Sequence, residues 1–182
     1  MPQYVALLRG IGPGNPNMRD DKLRDVFESL GFTNVRTVIS SGNVLFESSS
    51  RDQAKLEDII EQALPARLGF TGTAIIRSKE QLQTLADSSP FEDAEHGKEH
   101  YLTVTFLKRP APAGFVLPRP NIKGYGALDM HNNAVFCIVN LADSKTPNLM
   151  IWLERQFGKE ITTRTWKTVQ RILNKLEAAR RS

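Results

Sequence analysis

The stretch Val35-Arg36-Thr37-Val38-Ile39-Ser40-Ser41-Gly42-Asn43-Val44-Leu45-Phe46 decides the fold. Val35, Thr37 and Ile39 alternate as one face of a short strand, and Val44-Leu45-Phe46 is a second, more uniformly apolar one. Ser40-Ser41-Gly42-Asn43 between them is turn chemistry, so the stretch reads as a hairpin with a tight turn. On its N-terminal side Leu23, Val26, Phe27 and Leu30 fall at i, i+3, i+4 and i+7, with Gly31 at the usual helix stop. On its C-terminal side Leu56, Ile59, Ile60, Ala63 and Leu64 form another helical stripe, ended by Gly69. Outside these helices lie two more strands, residues 4–8 and 74–76. Residues 4–8 are continuously apolar and end at Arg9-Gly10, the mark of a central strand buried on both faces. The first 77 residues therefore run β-α-β-β-α-β, the order of a ferredoxin-like α/β plait, an antiparallel sheet with both helices on one face.

The rest of the chain repeats this plan. Ser78-Lys79-Glu80-Gln81 is a capping-box pattern opening a helix with Leu82, Leu85 and Ala86. A strand follows from Tyr101 to Leu107, then a Pro-rich stretch, 110–120, that cannot be a regular helix. A hairpin turns at His131-Asn132-Asn133, and Leu149, Trp152, Leu153 and Phe157 stripe a helix ending at Gly158. Ile161-Thr162 suggests a short strand, and Val169, Ile172, Leu173 and Leu176 stripe a final helix. The expectation is an α+β protein, a tandem duplication of plaits, with the first helix of the second copy replaced by the Pro-rich segment. Its expected parts are a first plait at 1–78, a connecting helix and linker at 79–98, and a second plait with a basic C-terminal helix at 99–182. A single α+β domain without internal symmetry is the alternative.

Composition narrows the functional classes. In 182 residues, 40% hydrophobic and 24% charged, there is enough apolar side chain for a core, which excludes global disorder. No apolar run is long enough to span a membrane, and the N-terminus lacks signal-peptide order, so the expected location is cytoplasmic with no membrane partner. The single Cys137 excludes an intramolecular disulfide framework and a multi-Cys zinc site, and lies in an apolar strand where a thiol behaves as a small hydrophobe. His96 and His100, with Gly97 between them and no carboxylate in a metalloprotease pattern, read as loop or strand-edge residues. No metal site, cofactor, nucleophile elbow or carboxylate pair is legible, so no catalytic residue is assigned. Sites assembled from distant residues are invisible at this level.

Two segments can carry ligand chemistry. In the plait topology the loop after the first strand lies beside the turn at 40–43. This groups Arg9, Gly10, Gly12, Gly14 and Asn17 with Ser40, Ser41, Gly42 and Asn43 near the start of the first helix. Glycines admit close backbone approach, helix N-termini favour anions, and Arg9 offers a charged fork, so a phosphate or carboxylate fits here. The loop is neither a Walker loop nor a dinucleotide fingerprint. Without a ligand, the same residues simply shape a long connection and a good turn. The second segment is Thr162-Thr163-Arg164-Thr165-Trp166-Lys167-Thr168. There Thr163 or Thr165 can cap the last helix, Arg164 can meet an anion, and Trp166 can stack on a base or pack as the helix's first core residue. From Gly158 on there are seven basic and two acidic residues, within a chain of net charge +4. That basic end is either an attractor for phosphate-bearing partners, nucleic acid included, or an ordinary solvated face with its cations at a helix C-terminus.

Several of these segments together resemble one family. They are Ala6-Leu7-Leu8-Arg9-Gly10-Ile11, Leu30-Gly31-Phe32-x-x-Val35-Arg36-Thr37, Ser41-Gly42-Asn43-Val44 and Thr162-Thr163-Arg164-x-Trp166-x-Thr168-Val169. The chain is similar, over nearly its whole length, to the bacterial domain of unknown function family 1697. That resemblance implies a pair of α/β plaits, and with no activity assigned to the family it leaves the function open. Where the family pattern continues with Asn-Val-Gly-Gly, this chain has Gly12-Pro13-Gly14-Asn15. It also has Ser40 in place of Gln and Thr165 in place of Asn.

The leading expectation is a protein that binds an anionic small molecule, or a nucleotide or nucleic-acid phosphate, at the Gly-rich first loop. Two alternatives stand beside it. One is an enzyme on a small phosphorylated or carboxylated metabolite with Arg9 and Arg164 as anion holders, and the other is a structural or interaction module without a ligand. The Gly-Phe-rich strand of RNA-recognition plaits is absent, which argues against sequence-specific RNA reading.

Overall fold

The computed structural model describes residues 1–10, 14–39, 42–91, 94–119, 123–142 and 146–178. Among them are two four-stranded antiparallel sheets and five α-helices, an α+β architecture. By their contacts the elements group into two compact units, Met1–Gln83 together with the chain from Arg171 on, and Thr84–Gln170.

In the first unit β1 (Gln3–Arg9), β2 (Thr33–Thr37), β3 (Asn43–Glu47) and β4 (Thr73–Ser78) form a sheet in the order β2-β3-β1-β4. β1 is central, and Tyr4 to Leu8 are all buried, as its unbroken apolar run requires. Helices α1 (Asp20–Ser29) and α2 (Gln53–Leu68) cover one face. Leu23, Val26 and Phe27 from α1 and Leu56, Ile60 and Leu64 from α2 meet Tyr4, Ala6, Leu8, Val44 and Phe46 in one core. Its centre is aromatic: Phe46 stacks on Phe32 at 4.5 Å and takes Phe27 edge-on at 5.5 Å. α2 begins at Asp52, whose side chain accepts the Lys55 N–H, and ends at Gly69 in the left-handed conformation.

The hairpin departs from simple alternation. Ile39 is 43% exposed, whereas Val38 is buried. β2 stops at Thr37, and Ile39 takes a φ of 53°, which breaks the two-residue period that would have turned it inward. A register shift between Thr33 and Arg36, with Asn34 also left-handed, bends the start of the same strand.

β4 lies at the margin of its sheet, where backbone N–H groups face outward without a strand to receive them. α2 supplies the acceptors. Glu57 accepts the Ile76 N–H and Glu61 the Ala74 N–H, each at 2.8 Å. Arg77, buried on the same strand, donates to the Ile76 carbonyl. Desolvation pulls its pKa down to about 10, with the Glu57 charge opposing that fall, so it remains a cation at neutral pH.

A reciprocal capping box opens α3 (Lys79–Asp87): Ser78 N–H donates to Gln81 Oε1 and Gln81 N–H donates to Ser78 Oγ. The second unit contains β5 (His100–Leu107), β6 (Tyr125–His131), β7 (Ala134–Asn140) and β8 (Ile161–Thr165), in the order β6-β7-β5-β8. α4 (Thr146–Phe157) packs Leu149, Trp152 and Leu153 on Leu107, Val135, Cys137, Val139 and Ile161. Ala111 and Leu117 of the Pro-rich segment pack against the same core, and Phe115 lies 5.3 Å from Phe157. Cys137 is a free buried thiol whose pKa burial pushes up to about 12, the inert state its strand position predicts.

The last helix, α5 (Trp166–Ala178), is divided between the groupings, although its stripe alone assigns it whole to the second half. Its C-terminal part exchanges a pair of bonds with β2. Arg36 Nη1 donates to the Lys175 carbonyl at 3.1 Å, and Lys175 Nζ donates to the Thr37 carbonyl at 2.7 Å.

Candidate functional site

At the end of the first sheet, β1 bonds to Gly42 of the turn. The Leu8 N–H donates to the Gly42 carbonyl at 2.8 Å. Gly42 has a φ of 75°, and a Cβ there would sit 3.1 Å from the Leu8 Cβ, so both conformation and space demand glycine. Gly10, at φ 94°, lies against the Thr71 carbonyl and is similarly constrained. Asn43 is buried and its amide donates to the Val38 carbonyl at 2.9 Å, closing the turn. Gly14 is exposed beside open space, and Arg9 is half-buried at the end of β1. Gly12, Ser40 and Ser41 lie outside the described residues.

Asn15 caps a 3₁₀ turn, Pro16–Met18, by accepting the Asn17 N–H. Asn17 then donates its amide to the Leu68 carbonyl at 2.8 Å and accepts from Lys22 Nζ at 2.7 Å. The amides expected to meet an anion thus hold backbone instead. Asp20 and Asp21 occupy the first turn of α1 and already complement its dipole. Also on this side is a depression of about 290 Å³ between the start of α1 and the end of α2. Lys22 and Arg67 bring two cations to it, against the one carboxylate of Asp25.

The segment entering α5 is better resolved chemically. Thr163 and Thr105 share a hydroxyl hydrogen bond at 2.7 Å, while Thr165 caps the helix by accepting the Thr168 N–H at 3.2 Å. Arg164 donates Nη1 to Thr162 Oγ1 at 2.7 Å and to the Thr163 carbonyl at 2.9 Å. Desolvation lowers its pKa to about 10, which leaves it charged at neutral pH. Trp166 is only half-buried, rather than the fully packed start of a core stripe. It meets Phe91 edge-to-face at 5.6 Å, and the two form the aromatic wall of an open groove of about 630 Å³.

Polar groups surround that wall. Lys167 and Gln170 follow Trp166 on the helix, and Glu95 and His96 line the groove from the loop before β5. His96 Nδ1 accepts the Leu102 N–H at 3.2 Å and its ring leans on Tyr101, which fixes the imidazole and places its neutral-state proton on Nε2. His100 is exposed at the start of β5. Trp166 was visible in the sequence as a ligand candidate. Phe91, 75 residues away, was not, nor were Lys22 and Arg67, because only tertiary packing brings such residues to one depression. Among the described residues no cluster of metal-ligating side chains occurs, and no helix is long and apolar enough to cross a membrane.

No curated protein matches the chain. Among solved structures it is similar to a conserved bacterial protein, SP0830 from Streptococcus pneumoniae. The identity is 21% over 97% of this chain and 99% of that one, with a TM-score of 0.76. At that identity the likeness concerns the fold. The family model described as Protein of unknown function (DUF1697) matches residues 1–136, three quarters of the sequence, and the chain belongs to that family.

Proposed function

We propose that the protein binds a small nucleotide-like anion, a planar ring bearing phosphate, in the groove of the second unit. The observation that carries this reading is the Trp166–Phe91 wall with Lys167 next in sequence and lining the same groove. A base stacked on an exposed aromatic gains roughly 1–3 kcal/mol, Lys167 offers a cation for phosphate, and Gln170 and Glu95 offer a donor and acceptors for the ring edge. A depression of about 650 Å³ lined by Lys98, Glu99 and His100 has the polar groups but no Phe, Tyr or Trp wall, and supports ring binding less well.

The first-loop reading survives in altered form. Lys22 and Arg67 around their depression favour a small inorganic anion there, held by side chains rather than by the glycines. Phosphate-bearing partners along α5 would meet Lys167 and Arg171, since Lys175 is tied to β2. We read the two sheets as copies of one plait, each with its third strand between first and second and its fourth on the first's other side. Such a protein suits a reducing cytoplasm, where its lone thiol stays free.

The test uses the protein's own fluorescence. Trp152 is 9% exposed, so quenching by a nucleoside monophosphate reports mainly on Trp166. Saturable quenching that weakens with salt, and an affinity that falls about tenfold in Lys167→Ala for the monophosphate but not the nucleoside, supports the groove. Equal affinity in Trp166→Ala, followed by thermal shift, refutes it.

A further inference from the structure

The geometry points to a second, chemical function: Ser88, His131 and Asp129 form a nucleophile, base and carboxylate relay for hydrolysis of activated acyl esters. The three residues come from separate places. α3 ends at Asp87 and is closed by Ser89, which adopts a left-handed φ of 45° while its N–H donates to the Ala86 carbonyl. Ser88, just before it, is exposed. His131 ends β6 beside a turn in which Asn132 and Asn133 are both left-handed. Asp129 lies two residues earlier on the same strand.

Each contact a proton relay needs is within hydrogen-bond distance. Asp129 Oδ1 accepts the Met130 N–H at 2.7 Å, which orients the carboxylate, and Asp129 Oδ2 accepts His131 Nδ1–H at 2.9 Å. The imidazole is stacked on fully buried Phe136 at 4.8 Å. Its Nε2 lies 3.0 Å from Ser88 Oγ. With the Nδ1 proton facing a carboxylate, neutral His131 has its lone pair on Nε2, directed at the serine hydroxyl. The same hydroxyl donates to the Leu85 carbonyl at 2.7 Å, and for the relay to act its one proton turns from that carbonyl to Nε2. A purely structural account explains this arrangement poorly. An exposed Ser–His bond adds little stability, yet the ring is held by a carboxylate that a backbone N–H itself fixes.

In the first step Ser88 Oγ bonds to the acyl carbon and its proton passes to His131 Nε2. The ester C–O bond then breaks, and the leaving oxygen takes that proton. Water attacks the acyl-serine, again giving its proton to Nε2, and the carboxylic acid departs as Ser88 regains its hydrogen. The sum is ester plus water to acid plus alcohol. Asp129 stays ionised throughout. The N–H groups of Ser88 and Ser89 are bonded to the Thr84 and Ala86 carbonyls, so the serine's own backbone offers no oxyanion donor. The substrate class is therefore an ester with a good leaving group, such as a phenolate, which needs least help at the carbonyl oxygen. Ser89 and Phe91 line the adjoining groove and leave room for the acyl chain.

Labelling with a fluorophosphonate, followed by peptide mass mapping, and turnover of p-nitrophenyl acetate test the relay on the full chain. One adduct per chain at Ser88, absent in Ser88→Ala, is expected. The labelling rate should fall about a hundred- to ten-thousand-fold in His131→Gln at unchanged melting temperature. Ser88→Ala should bind the nucleoside monophosphate with wild-type affinity, since Ser88 does not line the groove, which separates this result from the nucleotide reading. No adduct on the wild-type chain, equal labelling of Ser88→Ala, or wild-type rates in His131→Gln overturns the proposal. Should His131→Gln unfold, Asp129→Asn decides, because that side chain is 60% exposed. A tenfold or greater loss of rate supports the relay, and an unchanged rate refutes it.

Discussion

The hairpin turns of the two sheets hold the same place in the strand order and are built in opposite ways. In the first, Gly42 is pressed on Leu8 and the amide of Asn43 is buried against the Val38 carbonyl. In the second, Asn132 and Asn133 stand exposed in left-handed conformation, and the polar groups beside them, His131 and Asp129, bond toward an exposed serine. One turn has its polar atoms absorbed into the architecture, while the other leaves them at the surface. The same holds more widely: Asn17, Glu57 and Glu61 serve backbone in the first unit, whereas Trp166, Lys167 and Glu95 line a groove in the second. Side chains already bonded to backbone are poorly placed to exchange partners with a ligand, so the second unit is where chemistry is to be sought.

The comparison is sharpened most strongly through the two central phenylalanines. Phe46→Ala and Phe136→Ala should each cost about 3–5 kcal/mol by removing a buried ring. Only Phe136→Ala should also lower labelling at Ser88, since His131 and Phe91 both lean on that ring. Calorimetry with the labelling assay checks both, and loss of labelling in Phe46→Ala at temperatures where it stays folded would break the distinction. The turns come next. Asn43→Ala leaves the Val38 carbonyl without its buried donor and should cost about 1–3 kcal/mol, and Gly42→Ala about the same or more. Asn132→Gly should stay within about 0.5 kcal/mol of wild type, because Gly suits a left-handed position. Urea unfolding decides, and equal losses at both turns would undo the contrast.

At neutral pH the smallest effect is electrostatic, and it emerges only in alkali. The Cys137 thiol has its folded pKa raised to about 12 by burial, above its unfolded value, so from about pH 9 the unfolded chain releases a proton that the folded one keeps. Its contribution is fully present below that range and is lost as pH rises toward 12, by at most about 1.4 kcal/mol per pH unit. Cys137→Ala should flatten that slope in alkaline melts, and native protein should resist alkylation at pH 8.

What the sequence disclosed was local. The helix stripes, the Gly69 stop, the Ser78 to Gln81 box and the Asn132-Asn133 turn are each written within a few residues, where periodicity and capping act. Ile39 misled because one left-handed residue cancels a two-residue period without changing the apolar pattern. The bond from Leu8 to Gly42 at the first sheet's end follows from the strand order, yet the partners of Asn17 and Asn43 could not be read, since the Leu68 carbonyl is 51 residues from the first. Trp166 was legible as an aromatic before an amphipathic helix, but its groove was not. The relay was the least legible, because Ser88 and His131 are 43 residues apart and neither sits in a recognisable motif.

The carboxylates on α2 bear on how this protein behaves among its own copies. A strand end-row with open N–H groups invites a second molecule to zip alongside, and crowded solutions amplify that risk. Here two successive positions on β4 are already occupied by acceptors from the same chain, so the first sheet terminates itself there. Aspartate at 57 or 61 would fall one methylene short of the strand, and alanine would leave the row open while the apolar core stayed intact. Glu57 also faces the buried Arg77 charge, so at 57 folding and solution behaviour are bound together, whereas at 61 the carboxylate chiefly keeps neighbouring molecules off the sheet.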